Sequence, residues 1–317
     1  MPSTIIVNTF VLPDAIRSLI PADCELVLWQ GEKTDPDALR RATGFLVYGH
    51  PKIDGAIMDR IPNLRVISNF GVGVDHIHLA DAKARGIAVG NTPDLLNGAV
   101  ADMAIALMLA AARNVVFGDR FARGPQFTHY DPSINLGLDV HGCSLGIVGL
   151  GKIGQAIAKR AQAFEMPILY HNRNRNLAAE AELGATYASL PELLQNADYV
   201  VLITPLTPET YHLIGREQLR MMKSSAILVN IARGGIVDHD ALLQALQEKW
   251  IYAAAIDVTE PEPLPRNHPL LQLDNLVITP HLGSAAKQTR QKMSERTVDN
   301  LLAGMRGEKL LSQAIYR

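Results

Sequence analysis

Three glycines at a characteristic spacing are the first residues that indicate chemistry. Gly149, Gly151 and Gly154 follow an apolar, strand-like run and open a helical pattern, so they lie on a strand–turn–helix. In that setting the first glycine permits the tight turn, and the second lets a pyrophosphate approach the backbone and the helix N-terminus. The third lets helix and strand pack closely. The segment therefore predicts a dinucleotide site, to which Lys152 and Ile153 also belong.

The residues after the second strand of this predicted unit bear on which dinucleotide binds. An NAD site usually has an Asp or Glu here, which binds the ribose 2′-hydroxyl. This chain has Asn172 instead, followed by Arg173 and Arg175. A neutral Asn does not repel a 2′-phosphate, and a guanidinium binds one through two hydrogen bonds. The segment favours NADPH; the alternative is that both arginines only solvate a loop and that NADH is the cofactor.

Composition excludes several other classes of function. The net charge is −2 with acidic and basic residues interspersed, which is not typical of nucleic-acid binding. Cys24 and Cys143 lack metal-ligand spacing, so we expect reduced thiols in a cytoplasmic protein and no metal site. The apolar stretch from Ala99 to Ala112 is interrupted by Asp102 and is too short to span a bilayer. We expect a buried helix there and no membrane partner.

Short apolar runs alternate with helical segments along the whole chain. The strands predicted in the first third are Ile5–Val7, Leu26–Leu28, Phe45–Tyr48, Val66–Ser68 and Ile87–Val89. The strands predicted from Ser144 onward are 144–149, 167–171, 198–203, 226–230, 252–257 and 276–279. Such alternation predicts an α/β fold with two Rossmann-like parallel-sheet domains and a cleft between them. A single long helix is predicted from Asn97 to about Phe121.

Several ordered motifs give the chain a clear resemblance to a known family. They are Gly71-Val72-Gly73-Val74-Asp75, the glycine-rich turn, Asn230-Ile231-Ala232-Arg233-Gly234-Gly235, Asp257-Val258-Thr259-Glu260-Pro261-Glu262-Pro263 and Pro280-His281-Leu282-Gly283-Ser284. With these motifs the chain resembles the D-isomer-specific 2-hydroxyacid dehydrogenases. The segment from Glu262 to Leu270 is most similar to the glyoxylate/hydroxypyruvate reductase branch.

The resemblance implies how the chain is divided into domains. Residues 1–97 and 285–317 are expected to form a flavodoxin-like substrate domain, and residues 98–284 the dinucleotide-binding domain. The helical tail from Ala285 to about Met305 is expected to return to the first domain. The resemblance also implies a homodimer, formed through Ala99–Ala112 and the loop that follows, although burial within one subunit explains the apolar helix equally well.

Reduction of a 2-oxo acid needs a cation for the carboxylate and a proton donor for the developing alkoxide. Arg233 follows a predicted strand, at the edge where α/β sheets bind ligands. His281 follows another strand, and imidazole is a natural acid or base near neutral pH. Glu262 is expected to orient the ring of His281 and keep it protonated. A carboxylate at this place also argues against the related formate dehydrogenases, which have Gln in this role.

The remaining site residues are implied by the resemblance. Asp257 matches the family acid that accepts a hydrogen bond from the nicotinamide carboxamide, and the amides of Val72 and Gly73 match those that bind the substrate carboxylate. Further residues expected to line the cofactor are Thr204, Pro205, Ile231, Ala232 and Gly283.

The expected function is NADPH-dependent reduction of glyoxylate or hydroxypyruvate to the D-2-hydroxy acid. The main alternative is an NADH-linked D-lactate-type enzyme, or a reductase of larger 2-oxo acids such as 2-ketogluconate or aryl pyruvates. Smaller members of the phosphoglycerate dehydrogenase group also stay open. A non-enzymatic alternative is a dinucleotide-sensing module like the C-terminal-binding-protein corepressors, but no peptide-docking groove is evident in the sequence.

Overall fold

The chain forms two compact units, each built on one parallel β-sheet. The computed structural model describes residues 3–9 and 12–314. The first unit contains the chain up to Leu96 together with the segment from Ala286 onward, and the second contains Asn97–Ala285. This architecture confirms the predicted α/β class with two parallel-sheet domains. The predicted domain bounds stay a prediction, and residues 1, 2, 10, 11 and 315–317 of the predicted first domain lie outside the described residues.

The first unit has a five-stranded sheet in the order β2-β1-β3-β4-β5. Its strands are β1 (Ser3–Val7), β2 (Cys24–Leu28), β3 (Ala42–Val47), β4 (Val66–Asn69) and β5 (Ala88–Gly90). The helices between them are α1 (Asp14–Arg17), α2 (Pro36–Arg41), α3 (Gly55–Asp59) and α4 (Leu79–Ala84). This strand order is the flavodoxin-like one, in agreement with the fold expected for this part of the chain.

The second unit has a seven-stranded sheet in the order β12-β11-β10-β9-β6-β7-β8. Its strands are β6 (Leu145–Val148), β7 (Ile168–His171), β8 (Thr186–Tyr187), β9 (Tyr199–Leu202), β10 (Ile227–Asn230), β11 (Ala253–Ile256) and β12 (Leu276–Ile278). Its helices are α5 (Asn97–Ala112), α6 (Val115–Arg123), α7 (Lys152–Ala161), α8 (Leu177–Leu183), α9 (Leu190–Asn196), α10 (Arg216–Met221) and α11 (His239–Gln247). The central strands are buried along their whole length, which explains their nearly continuous apolar sequences. The sequence did not predict β8, because two residues are too short to show an alternating pattern.

The single long helix predicted from Asn97 to about Phe121 is wrong. The structure has two helices, α5 and α6, whose axes differ by 60°. Asn114 lies between them in the left-handed conformation, with φ of 51°, and Asn adopts this conformation more readily than most residues. No single helix within residues 3–9 and 12–314 is long and apolar enough to cross a membrane; only this bent pair, taken together, has the necessary length and composition.

The C-terminal helix α12 (Lys287–Met305) packs on the sheet of the first unit, against β3, β4 and β5. The side chain of Ser68 on β4 donates a hydrogen bond of 2.7 Å to the carbonyl oxygen of Thr297, and both residues are fully buried. The helix therefore completes the core of the unit in which the chain begins. Its hydrogen bond with Ser68 holds the carboxyl end of β4, from which the next loop starts.

Candidate functional site

The predicted site residues of the second unit all follow strands of one parallel sheet. Gly149, Asn172 and Asp257 come directly after β6, β7 and β11. Arg233 and His281 lie in the loops that follow β10 and β12, three residues beyond the end of each strand. Because the strands are parallel, these residues lie at the carboxyl edge of the sheet, where ligands of open α/β sheets bind.

The glycine-rich turn has the geometry of a phosphate-binding turn. Gly149 has a φ of +111°, and a Cβ atom there would lie 2.8 Å from the backbone of Ile203. A Cβ atom on Gly154 would lie 2.1 Å from the carbonyl oxygen of Gly149, whereas the same position on Gly151 opens into free space. Helix α7 begins directly after Gly151, at Lys152, and its first amides have no acceptor within the helix. The open space and these amides fit the pyrophosphate of a dinucleotide.

The side chain of Asn172 is part of this turn. Its Oδ1 atom accepts a hydrogen bond of 2.7 Å from the amide of Leu150, so Asn172 links the end of β7 to the glycine-rich turn. An Asp could also accept this bond. The Asn therefore preserves the shape of the turn while leaving out a negative charge.

The two arginines after Asn172 have different surroundings. Arg175 forms two hydrogen bonds with Glu180, of 3.0 and 2.7 Å. The bonds from Arg175 and from the Tyr170 hydroxyl hold the pKa of the Glu180 carboxyl at about 2, so this ion pair is fully charged near neutral pH. Arg173 is exposed. Of the two guanidinium groups, that of Arg173 is the one not already paired with Glu180.

A buried asparagine fixes the loop that carries Arg233. The side chain of Asn230, at the end of β10, donates to the carbonyl oxygen of Arg233 at 2.8 Å and accepts from the amide of Ala232 at 3.1 Å. A Cβ atom on Gly234 would lie 2.1 Å from the carbonyl carbon of Thr259, so the loop after β10 packs directly on the loop after β11. Arg233 is half-buried at this junction.

Glu262 and His281 form a hydrogen-bonded pair. The Nδ1 atom of His281 lies 2.7 Å from Oε1 of Glu262, and both side chains are partly exposed, at 29% and 37%. Nδ1 can donate a hydrogen to Glu262 in this arrangement, and the other ring nitrogen, Nε2, points away from Glu262. The pair has the geometry of a general acid and the carboxylate that orients it.

The carboxylate of Asp257 holds the turn that carries His281. It is almost completely buried, and it accepts hydrogen bonds from the Thr279 hydroxyl at 2.5 Å and from the amides of Leu282 and Gly283, both at 2.7 Å. His281 itself has a left-handed φ of 56°, and its amide donates to the Asp257 carbonyl oxygen at 2.8 Å. A carboxylate has about four acceptor positions. Three are used within the chain. The expected hydrogen bond from the nicotinamide carboxamide to Asp257 stays a prediction.

The other predicted cofactor residues surround these loops. Ile231 and Ala232 are buried, and a Cβ atom on Gly283 would lie 3.6 Å from the Ile231 side chain. Thr204 is half-buried beside the turn at Gly149, and Pro205 is exposed. Their roles toward a cofactor stay predictions.

In the first unit, Val72 and Gly73 lie in the loop that follows β4. Both are half-buried, and no residue in the described part of the chain accepts a hydrogen bond from either amide. This loop also stands at the carboxyl edge of its own parallel sheet.

Sequence reasoning did not identify the roles of two residues in the second unit. Asn230 clamps the Arg233 loop, and Thr279 donates to Asp257. In each case a polar side chain stands at or directly after the end of an apolar strand. That position is the signal from which the two roles could have been inferred.

Comparison with known proteins identifies the second unit. The sequence profile described as "D-isomer specific 2-hydroxyacid dehydrogenase, NAD binding domain" matches residues 105–283. The chain is 45% identical over 306 residues to the glyoxylate reductase of Pyrococcus horikoshii, covering 94% of this chain and 91% of that protein.

Two solved structures are similar over nearly the whole chain. One is an NADPH-dependent glyoxylate/hydroxypyruvate reductase from Sinorhizobium meliloti in complex with NADP and malonate, with a TM-score of 0.89, 33% identity and coverage of 99% of this chain and 97% of that one. The other is the D-lactate dehydrogenase of Aquifex aeolicus with NAD and lactic acid, with a TM-score of 0.86, 26% identity and coverage of 99% and 100%.

The glycine-rich turn allows a test that separates folding from binding. Gly154→Ala places a methyl group against the Gly149 backbone, so we expect destabilisation of roughly 1–3 kcal/mol in urea unfolding. Gly151→Ala places its methyl group in open space, so unfolding should change little while the affinity for the dinucleotide, measured by fluorescence titration with NADPH and with NADH, falls. Equal NADPH affinity in Gly151→Ala and the unmodified protein would contradict this assignment of the turn.

Proposed function

Because the chain belongs to the D-isomer specific 2-hydroxyacid dehydrogenase family, whose members are NAD(P)-dependent oxidoreductases, we propose that it reduces a small 2-oxo acid to the D-2-hydroxy acid with NADPH. The observation that carries the proposal is the 2.7 Å pair of His281 and Glu262 at the carboxyl edge of the second sheet. It supplies an oriented proton donor on the same sheet edge as Arg233.

In the proposed mechanism Arg233 and His281 act on different parts of the substrate, and Glu262 acts through His281. The guanidinium of Arg233 binds the carboxylate, for which its planar, permanently charged group is well suited. When bound beside the glycine-rich turn, a dihydronicotinamide would supply the hydride that the carbonyl carbon of the substrate accepts. His281 donates a proton from Nε2 to the carbonyl oxygen as it becomes an alkoxide, and Glu262 stabilises the imidazolium before transfer and fixes the ring plane. In the first unit, the amides of Val72 and Gly73 are proposed to donate hydrogen bonds to a substrate carboxylate.

The names of the relatives support a small substrate. The Pyrococcus relative is a glyoxylate reductase and the Sinorhizobium one a glyoxylate/hydroxypyruvate reductase. We therefore propose glyoxylate and hydroxypyruvate as substrates. The similarity to the Aquifex D-lactate dehydrogenase with NAD favours, as second candidate, an NADH-linked enzyme for pyruvate.

The preference for NADPH rests on the segment after β7. Asn172 replaces a negative charge without loss of the hydrogen bond to the turn, and Arg173 is exposed beside it. The Sinorhizobium relative, named as NADPH-dependent, supports this part of the proposal. We assign the 2′-phosphate primarily to Arg173, because Arg175 is already paired with Glu180.

An exposed apolar face of the second unit supports the proposed homodimer. Large apolar side chains are exposed on α6 and in the loop after it: Val115, Phe117, Phe127, Tyr130, Ile134 and Leu136. Phe117 also lines a cavity of about 540 Å³ near the amino ends of β11 and β12. The rings of Phe117 and Phe121 lie 6.4 Å apart, and those of Phe121 and Phe127 lie 5.6 Å apart, so part of this apolar surface is clustered. Clustered exposed apolar side chains are typical of a subunit interface.

The proposed reaction is tested by initial rates with glyoxylate, hydroxypyruvate, pyruvate, 2-ketogluconate and phenylpyruvate, each with NADPH and with NADH. Fast NADPH-linked reduction of glyoxylate or hydroxypyruvate is the expected result. A preference for NADH with pyruvate would replace the proposal by the second candidate. Absence of turnover with every pair would contradict both.

Replacement of His281 by Ala should remove the proton donor. General acid catalysis contributes roughly 10²–10⁴-fold, so we expect kcat for glyoxylate reduction to fall by that factor. His212→Ala is the matched control, because His212 also has a left-handed φ of 51° and lies 3.8 Å from a glutamate, Glu260. Normal turnover in the His281 variant, or an equal loss in the control, would contradict the proposed role.

Replacement of Arg173 by Ala should weaken NADPH binding and leave NADH binding nearly unchanged. Hydrogen bonds to charged groups are worth about 1.5–3 kcal/mol, so the KM for NADPH should rise roughly ten- to a hundredfold. Arg220→Ala, an exposed arginine on α10, is the control. A parallel change in KM for both cofactors would show that Arg173 does not read the 2′-phosphate.

A charge on the apolar face should separate the proposed dimer. Sedimentation of the unmodified protein should give twice the 34.5 kDa mass of the chain, and Phe117→Glu should shift the population toward monomer. Leu311→Glu changes an equally apolar exposed residue outside this face and should have no such effect. A monomeric unmodified protein would exclude the dimer.

A further inference from the structure

Two asparagine side chains hold the backbone carbonyl groups of the loop after β4. Asn69 Nδ2 donates to the carbonyl oxygens of Gly71, at 3.2 Å, and of Gly73, at 2.9 Å. Asn91 Nδ2 donates to the carbonyl oxygen of Val72 at 3.0 Å. Three consecutive carbonyl groups are thus directed toward side chains that are 1% and 9% exposed.

The direction of these carbonyl groups determines the direction of the amides. In a planar trans peptide the N–H group of the next residue points opposite to the C=O group. The amides of Val72, Gly73 and Val74 therefore point away from the buried asparagines. Within residues 3–9 and 12–314, none of these three amides has a hydrogen-bond acceptor. The loop presents three successive donors, which is the arrangement that binds an anion.

The carboxamide of Asn69 and the backbone of Asn91 are held by further hydrogen bonds. His76 Nε2 lies 3.1 Å from Asn69 Oδ1, so the NH₂ group of Asn69 faces the loop. The backbone carbonyl of Asn91 accepts from Asn300 Nδ2 at 3.1 Å and from Ser312 Oγ at 2.6 Å.

The Oδ1 atom of Asn91 is buried and has no hydrogen-bond partner among the described residues. A buried acceptor without a hydrogen-bond partner is unfavourable. The rotated carboxamide would place this oxygen against the Val72 carbonyl oxygen and would lose the bond to the loop. The orientation of the carboxamide is therefore set by its contact with Val72 rather than by a partner of Oδ1 within the described chain.

We propose that Asn69 and Asn91 are positioning residues, which hold the amides of Val72, Gly73 and Val74 toward the carboxylate of the 2-oxo acid. The inference rests on the proposed function and adds to it a third amide and the two side chains behind the loop. Asparagine suits this role because it donates to carbonyl groups without charge. An aspartate in its place would repel the carbonyl oxygens and add a negative charge behind the anion.

The first test is Asn91→Asp, which keeps the size of the side chain and removes the donor. We expect the KM for glyoxylate to rise roughly tenfold or more, since small displacements of binding groups have effects of that order. The value of kcat should change less, because the lost contact is made with substrate and transition state alike. The Kd for NADPH should not change. An unchanged KM for glyoxylate would overturn the inference.

Asn63→Asp is the matched control. The Asn63 side chain also donates to a backbone carbonyl, that of Arg40 at 2.7 Å, but it lies away from this loop. Its KM for glyoxylate should equal that of the unmodified protein. A similar rise in both variants would mean that general destabilisation of the unit, rather than the loop amides, sets the KM, and would also overturn the inference.

A second measurement does not depend on turnover or on the folding of a variant. Unmodified protein labelled with ¹⁵N-valine and ¹⁵N-glycine is titrated with oxalate, a stand-in for the 2-oxo acid, in the presence of NADPH. The amide resonances are followed by NMR. The amides of Val72, Gly73 and Val74 should shift and exchange more slowly with solvent. Lack of any change at these three amides contradicts the inference even if glyoxylate is reduced. Changes there without any 2-oxo acid reduction would support the amide site while contradicting the proposed function.

Discussion

The buried carboxylate of Asp257 is the constraint on which the arrangement of the second unit's site depends. A buried carboxylate is costly unless its oxygens are hydrogen-bonded, and here three donors come from one five-residue segment of the chain, Thr279 to Gly283. These bonds hold His281 in a left-handed conformation that costs about 1–2 kcal/mol for most residues.

The loops after β10 and β11 are connected to this turn through the backbone. Asp257 directly follows β11, and its own amide donates to the carbonyl oxygen of Asn230, the residue whose side chain clamps the Arg233 loop. Close packing of Gly234 on Thr259 joins the same two loops. Arg233, Glu262 and His281 are thus carried by three loops at one sheet edge, and the loops of Arg233 and His281 are tied to the loop after β11 by hydrogen bonds and close packing.

The sequence predicted the strands and the placement of the site residues, which depend on local pattern. It did not predict the helix break or the side-chain contacts, which depend on tertiary structure. Apolar runs predicted eleven of the strands, and the position of each candidate after a strand placed the residues on one sheet edge. The break at Asn114 was missed, because the apolar pattern continues across it while the backbone conformation changes. The pairing of Arg175 with Glu180 and the clamps formed by Asn69, Asn91 and Asn230 join groups whose contacts no periodicity reveals.

The most direct test of this account is the crystal structure of Asp257→Asn compared with that of the unmodified protein. A carboxamide has one oxygen and cannot accept all three hydrogen bonds that reach the two oxygens of Asp257. The account predicts that His281 leaves the left-handed conformation and that its Nδ1 atom moves out of hydrogen-bond distance of Glu262 Oε1. An unchanged turn that keeps the 2.7 Å contact would show that the carboxylate does not position the imidazole.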